Sequence, residues 1–137
     1  MQPQPRYFTV DEVNGLIPHL EELLPQLREA HGRMVRLERQ LGQTVRQRTE
    51  TNGYHLTQEQ QLETLQKDAD GLVARFRELV QDIADLGAEV KDPETGLVDF
   101  VSRREGRDIY LCWRLGEPEC AWWHDLETGF GGRQPVE

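Results

Sequence analysis

The chain carries two cysteines in 137 residues, too few for a disulfide framework, which agrees with a reducing compartment. Aromatic residues make up 7%, consistent with a soluble protein of modest core. No apolar run reaches the length that a bilayer demands, and the opening "MQPQPRYF" lacks the apolar stretch of a secretory signal. A cytoplasmic protein with no membrane contact is therefore expected. Basic residues are the minority, 16 against 25 acids, and the formal net charge of −9 argues against nucleic acid as a general partner.

One local exception is a basic stretch at residues 28–48, with Arg28, Arg33, Arg36, Arg39, Arg46 and Arg48 against only Glu29 and Glu38. Residues 50–95 hold eleven acids. If the two stretches pack antiparallel, internal charge pairing explains the bias more simply than contact with phosphates.

Apolar periodicity dominates the first two thirds. "FTVDEVNGL" opens a helix, with Thr9 and Glu12 spaced as a capping box and Asp11 near the positive end of the dipole. Val13, Leu20, Leu27, Met34 and Leu41 then recur every seven residues, interleaved with Leu16, Leu23, Ala30 and Leu37, which is an a/d seam. Pro18 and Pro25 fall inside it and predict a kink or break. Asn52-Gly53 signals a turn, and Thr57 with Gln60 forms a second capping box. The repeat resumes at Leu62, Ala69, Phe76 and Ile83, with Leu65, Leu72, Leu79 and Leu86 between, and stops at Gly87. Ile17, Leu24, Val73 and Val80 widen the stripe near the base, where a third element or second subunit should cover it. Toward the tip the stripe is narrow, as in a projecting arm, and a homodimer is expected.

After Gly87 the period becomes two. "AEVKD" is expected as a short strand and "DPETG" as a turn. "LVDFVSR", "RDIYLCWRL" and "ECAWWHD" should form three strands joined at Glu105-Gly106 and Gly116-Glu117-Pro118. Counting from those turns puts Val98, Phe100, Ile109, Leu111, Trp113, Leu115, Ala121 and Trp123 on one apolar face. The other face receives Asp99, Val101, Tyr110, Cys112, Arg114, Cys120, Trp122 and His124, with Asp99 opposite Cys112 and Tyr110 opposite His124.

Three chemistries suit that second face. Asp99, Cys112, Cys120 and His124 are candidate ligands for a transition metal such as zinc, although C-x7-C-x3-H is no specific zinc spacing. Cys112 with His124 and Asp99 has the residue types of a nucleophilic site, but no helix N-terminus follows Cys112 to lower its pKa. Alternatively, Tyr110, Arg114, Trp122 and His124 make an aromatic and cationic surface for a protein or small ligand. The tail "LETGFGGRQPVE" lacks phosphate-loop spacing; its glycines should let the backbone turn about an anchored Phe130, with Arg133 able to complete an anion site.

"YFTVDEVNGLIP", "DPETGLVDF", "YLCWRLGEPE" and "WWHDLETGFGGRQP" resemble a family of small bacterial proteins catalogued as a domain of unknown function. The resemblance spans nearly the whole chain and implies a helical hairpin with a compact C-terminal cap. Its distinctive words cluster around Asp99, Trp113, Arg114, Glu117, His124, Phe130 and Arg133, while position 120 is usually aliphatic, which weakens Cys120 as a ligand.

The expected architecture is α+β, with a coiled-coil-like antiparallel hairpin over 1–87, turning near 49–56, packed on a small antiparallel sheet and tail over 88–137. The leading function is a non-enzymatic interaction or assembly module that needs no cofactor. Its recognition surface is expected at Asp99, Tyr110, Arg114, Glu117, Trp122, His124, Phe130 and Arg133. The alternative is a metal- or small-ligand-binding protein, catalytic or not, centred on Asp99, Cys112 and His124.

Overall fold

The computed structural model describes residues 6–50 and 56–137. Its first helix, α1, runs Val10–Glu50. The capping box forms as expected: Glu12 N–H donates to Thr9 Oγ1 at 3.1 Å and Thr9 N–H donates to Glu12 Oε1 at 3.0 Å. Both bonds satisfy amides that a helix start would otherwise leave without partners. The expected break at the prolines does not occur, and α1 is continuous through Pro18 and Pro25. Both prolines are exposed. Seven residues apart, they share the solvent face, where water can take up the carbonyls that lose their amide partners.

The second helix, α2, spans Leu56–Asp85. The Asn52-Gly53 turn lies outside the described residues, as does the side chain of Thr57 in the second box. Gly87, at φ +101°, ends the helix by donating to Ala84 O at 2.9 Å, and Ala88 N–H reaches Ile83 O at 3.3 Å.

The chain divides into two compact units, Met1–Arg28 with Leu79–Glu137, and Glu29–Glu78. In the first, Val13, Ile17, Leu20, Leu24 and Leu27 of α1 and Leu79 and Ile83 of α2 are buried, together with Phe8. The sheet contributes Val98, Phe100, Ile109, Leu111, Trp113 and Trp123 to the buried set. Each fully buried aliphatic side chain stabilises by about 1.5–3 kcal/mol relative to exposure. Phe8 ties the helix start to the sheet: its N–H donates to Val101 O at 2.8 Å, its carbonyl accepts from Ser102 Oγ at 2.6 Å, and its ring meets Phe100 edge-on at 5.0 Å. Asn14 Oδ1 accepts from Cys120 N–H at 2.7 Å. Here the stripe does widen at Ile17 and Leu24, whereas the seam positions Leu16 and Leu23 are only half-buried.

In the second unit Ala30 and Leu37 are buried, while Met34, Leu41, Leu62, Leu65, Ala69, Leu72 and Phe76 are partly covered. The His31 ring lies 6.2 Å from that of Phe76.

Five antiparallel strands, in the spatial order β1-β2-β3-β4-β5, are Glu89–Asp92, Leu97–Arg104, Arg107–Arg114, Trp122–Asp125 and Gln134–Pro135. Asp92 organises the first turn, its Oδ1 accepting from Glu94 N–H at 3.0 Å and its Oδ2 from Thr95 Oγ1 at 2.9 Å. Glu105 and Gly106, at φ +53° and +79°, make the two-residue turn between β2 and β3. Asp99 stands opposite Cys112, Cys112 opposite Trp122, and Tyr110 opposite His124, the register expected from turn counting. A fifth strand and a 3₁₀ turn, Phe130–Gly132, appear within the tail. The register of β1 shifts between Val90 and Asp92, a bulge at the sheet's outer strand.

Gly87 combines positive φ with close packing, since a Cβ there would sit 2.1 Å from Phe8 Cζ. Gly15, inside α1, has nothing within 4 Å of that position. Gly87→Ala should lower unfolding free energy by about 2–4 kcal/mol. Gly15→Ala should raise it by roughly 0.5–1 kcal/mol. Urea titration followed by circular dichroism reads both.

Candidate functional site

Three neighbouring strands each place one chemically active side chain on the face turned away from the apolar core. Asp99 comes from β2, Cys112 from β3 and His124 from β4. Period-two alternation puts them on one side, and the register sets Asp99 beside Cys112 with His124 one diagonal step on. All three are buried, Asp99 at 1% and His124 at 2% relative exposure. Their ligand-capable atoms lie within 4.8 Å of one another.

Hydrogen bonding fixes the chemistry of the pair. His124 Nδ1 lies 2.8 Å from the Asp125 carbonyl oxygen, which can only accept, so Nδ1 carries a proton and donates it. Nε2 lies 3.0 Å from both Asp99 oxygens. One proton is shared across that contact, giving either imidazolium with carboxylate or imidazole with carboxylic acid. The pair is neutral overall in both forms. Both ring nitrogens are thereby committed, and neither is free to act as a general base.

The thiol is equally unsuited to attack. Burial pushes the Cys112 thiol up to about 12, and the neighbouring Asp99 charge adds to the effect while Arg133 partly opposes it. Burial likewise raises Cys120 to about 11. Neither holds a useful thiolate fraction at neutral pH, which disfavours the nucleophilic arrangement.

Next to the pair, a partly open cavity of about 170 Å³ is lined by Lys91, Leu97, Tyr110 and Phe130 along with Asp99 and His124, and by Leu126, Thr128 and Gly129 of the tail. Lys91 Nζ sits 4.6 Å above the Tyr110 ring and 3.3 Å from Glu89 Oε1, to which the Tyr110 hydroxyl also donates at 3.2 Å. Burial and the Glu89 carboxylate raise the Tyr110 phenol. Lys91 is raised as well: partial burial works against it, but Glu89 and other neighbouring groups outweigh that. Lys91 was not among the residues singled out from sequence. Strand parity could have found it, because Glu89 faces Asp99 across the ladder and Lys91 is two residues on.

Arg133 and Glu117 latch the tail over this face. Arg133 donates to Glu117 Oε1 at 2.6 Å and Oε2 at 2.9 Å, and to the Cys112 carbonyl at 3.3 Å. Glu117 Oε1 also accepts from Arg114 N–H at 2.7 Å. The Arg133 guanidinium stacks on Trp122 at 5.3 Å and on Phe130 at 4.6 Å, with Arg114 across Phe130 at 5.0 Å. Arg133 is thus occupied by a carboxylate and not held open as an anion site.

Of the eight residues expected on the recognition surface, Asp99 and His124 lie at the cavity floor, with Tyr110 and Phe130 on its wall. Glu117, Arg133 and Trp122 make the latch, and Arg114 is exposed. Phe130 is 42% exposed, gripped by two arginines rather than anchored in the core. The group of possible ligands contains Asp99, Cys112 and His124 but not Cys120, which is buried separately beside Asn14.

Three outcomes are expected. At pH 8 a chromophoric disulfide reagent should leave both cysteines of the native protein unreacted, and two thiols should appear on denaturation. Both folded-state thiols lie above the unfolded value near 9, so their stabilisation is intact below about pH 9 and lost as pH rises toward 11–12. A denaturation series over that range should show stability falling with pH. Separately, Glu117→Gln leaves a largely buried guanidinium uncompensated, at a cost of about 3 kcal/mol. Trypsin cleavage after Arg133 should then accelerate roughly 100-fold, as the latch opens more often.

No curated protein and no solved structure matches the chain. A family model described as an uncharacterised conserved protein, DUF2203, matches residues 6–136. That match takes in both helices, all five strands and every residue of the cavity and latch, and the chain belongs to the DUF2203 family.

Proposed function

We propose that this is a non-enzymatic binding protein whose ligand site is the cavity floored by Asp99 and His124. The observation that carries it is the placement of a neutral, mutually committed carboxylate–imidazole pair at the base of a walled space. A core without a binding role gains little from a buried polar pair bordering a cavity, since well-packed apolar residues of similar volume usually stabilise as much or more. The walls mix polar and apolar groups, with Lys91 and Tyr110 facing Leu97, Leu126 and Phe130, as binding sites do. At about 170 Å³ the space suits a ligand of only a few heavy atoms. Acid–base and nucleophilic roles find no support, because His124 has no free nitrogen and both thiols stay protonated.

The test is a thermal-shift screen of small acids, amines and divalent metal salts against the wild type and Leu126→Trp. Leu126 is 50% exposed at the cavity wall, so the larger ring can fill the space without disturbing the core. A compound at one hundred times its Kd should stabilise by about 2.7 kcal/mol, a shift of roughly 10 °C. Leu126→Trp should lose that shift. A screen with no stabilising compound, or shifts that survive in Leu126→Trp, would count against the cavity.

Self-association is a second reading, favoured by one observation. Leu16 and Leu23 occupy seam positions yet remain half-buried, and Leu16 lines a shallow cavity of about 410 Å³ with Gly15 and Leu86. A homodimer would cover them. Light scattering should then give twice the chain mass for wild type and the single mass for Leu16→Glu; a monomer at all concentrations removes this reading.

A further inference from the structure

Asp99 is a buried carboxylate with few donors. Among the described residues its hydrogen bond comes from His124 Nε2, shared between both oxygens, and the Cys112 S–H is a weak second neighbour. Carboxylates this deeply buried ordinarily take a guanidinium, several backbone amides or a metal ion. The nearby cations are engaged elsewhere, Arg133 with Glu117 and Lys91 with Glu89.

His124 is already arranged as a ligand. Metal-bound histidines almost always donate their second ring N–H to a carbonyl or carboxylate, which fixes the tautomer and aims the other nitrogen. The Nδ1–H bond to the Asp125 carbonyl does this and directs Nε2 at Asp99. The Nε2–Oδ separation of 3.0 Å is close to the edge of a tetrahedron built on bonds of about 2.0–2.1 Å. The thiol, within 4.8 Å of both partners, has to close inward by at most roughly 1.3 Å to reach a sulfur–metal bond near 2.3 Å. Three adjacent strands of one ladder hold the donors, so the framework is rigid.

We propose that Asp99, Cys112 and His124 bind one divalent transition-metal ion of borderline softness, Zn²⁺ or Co²⁺ in type, with an exchangeable fourth position. This deepens the cavity reading above and names its ligand. The thiolate and imidazole select against Mg²⁺ and Ca²⁺, which take oxygen donors. The fourth position turns toward the 170 Å³ cavity, whose lining includes Asp99 and His124 but not Cys112. Water or a small monodentate oxyanion fits there. On binding, the shared Asp99–His124 proton and the Cys112 thiol proton both leave, so that two protons are exchanged for one dication on three donors.

The experiment is titration of Co²⁺ into the full chain, purified without a metal-affinity column. One equivalent should produce the visible ligand-field bands of four-coordinate cobalt and a near-ultraviolet thiolate-to-cobalt band. Cys112→Ser should lose the thiolate band, and Asp99→Asn should weaken binding on the order of 100-fold, while Cys120→Ser changes nothing. X-ray absorption at the cobalt edge of the wild type, which depends on no variant folding, should find one sulfur among nitrogen and oxygen donors. Absence of bands at one equivalent, a cobalt shell without sulfur, or a thiolate band that persists in Cys112→Ser would each overturn the proposal. A cavity compound that still raises the wild-type melting temperature in a chelator, with no cobalt bands, would sink the metal and leave the cavity reading intact.

Discussion

The positive backbone angles at Glu105 and Gly106 let β2 return as β3 across two residues, and so short a turn leaves no freedom in register. Everything on the sheet's second face depends on that. A slip of one residue would carry Asp99 into the apolar core and bring Val98 to the cavity. With the turn fixed, Asp99 meets Cys112, and β4 then brings His124 up to the same carboxylate.

Around this trio the polar groups form one connected line. It runs from the Asp125 carbonyl through His124 to Asp99, past the Cys112 thiol to Arg133, and ends at Glu117. Such a line is costly to bury unless each member is paired, and beyond the His124–Asp125 contact within β4 the pairings join different strands, the turn after β3 or the tail. The sheet therefore holds the network as much as the network holds the tail. Arg133 bears most of the second task, contacting a carboxylate, a main-chain carbonyl and two aromatic rings at once.

Much of this was legible in advance. Thr9 and Glu12 announced the helix start, because a capping box is a local signal that packing rarely overrides. The two faces of the sheet over β2, β3 and β4 followed from turn residues and alternation, but the third strand was expected from Glu119 and begins only at Trp122, so Cys120 and Ala121 lie ahead of it and belong to neither face. Pro18 and Pro25 do not break α1 because the cost of a proline depends on whether its lost partner meets solvent, and only the fold reveals that both are exposed. Alternation also tells which residues share a face but not what lies above it. That is why a surface expected at Asp99 and His124 is a covered pocket, and why Phe130 is held by Arg114 and Arg133 instead of the core. Two-residue β5 carries too little pattern to be seen before its partner is known.

The two outer strands of the sheet share a further property. β1 is four residues long and broken in register at Val90, with the charged Lys91 beside the break; β5 is two residues long and ends on Pro135. A bulge and a lysine spoil one rim as a template for a foreign strand, and a proline without an N–H spoils the other. Main-chain zippering between copies is thereby discouraged at both margins. Contacts that this protein makes through its sheet have to be made by side chains, which can be chosen one at a time, and not by an open ladder that accepts almost any extended peptide.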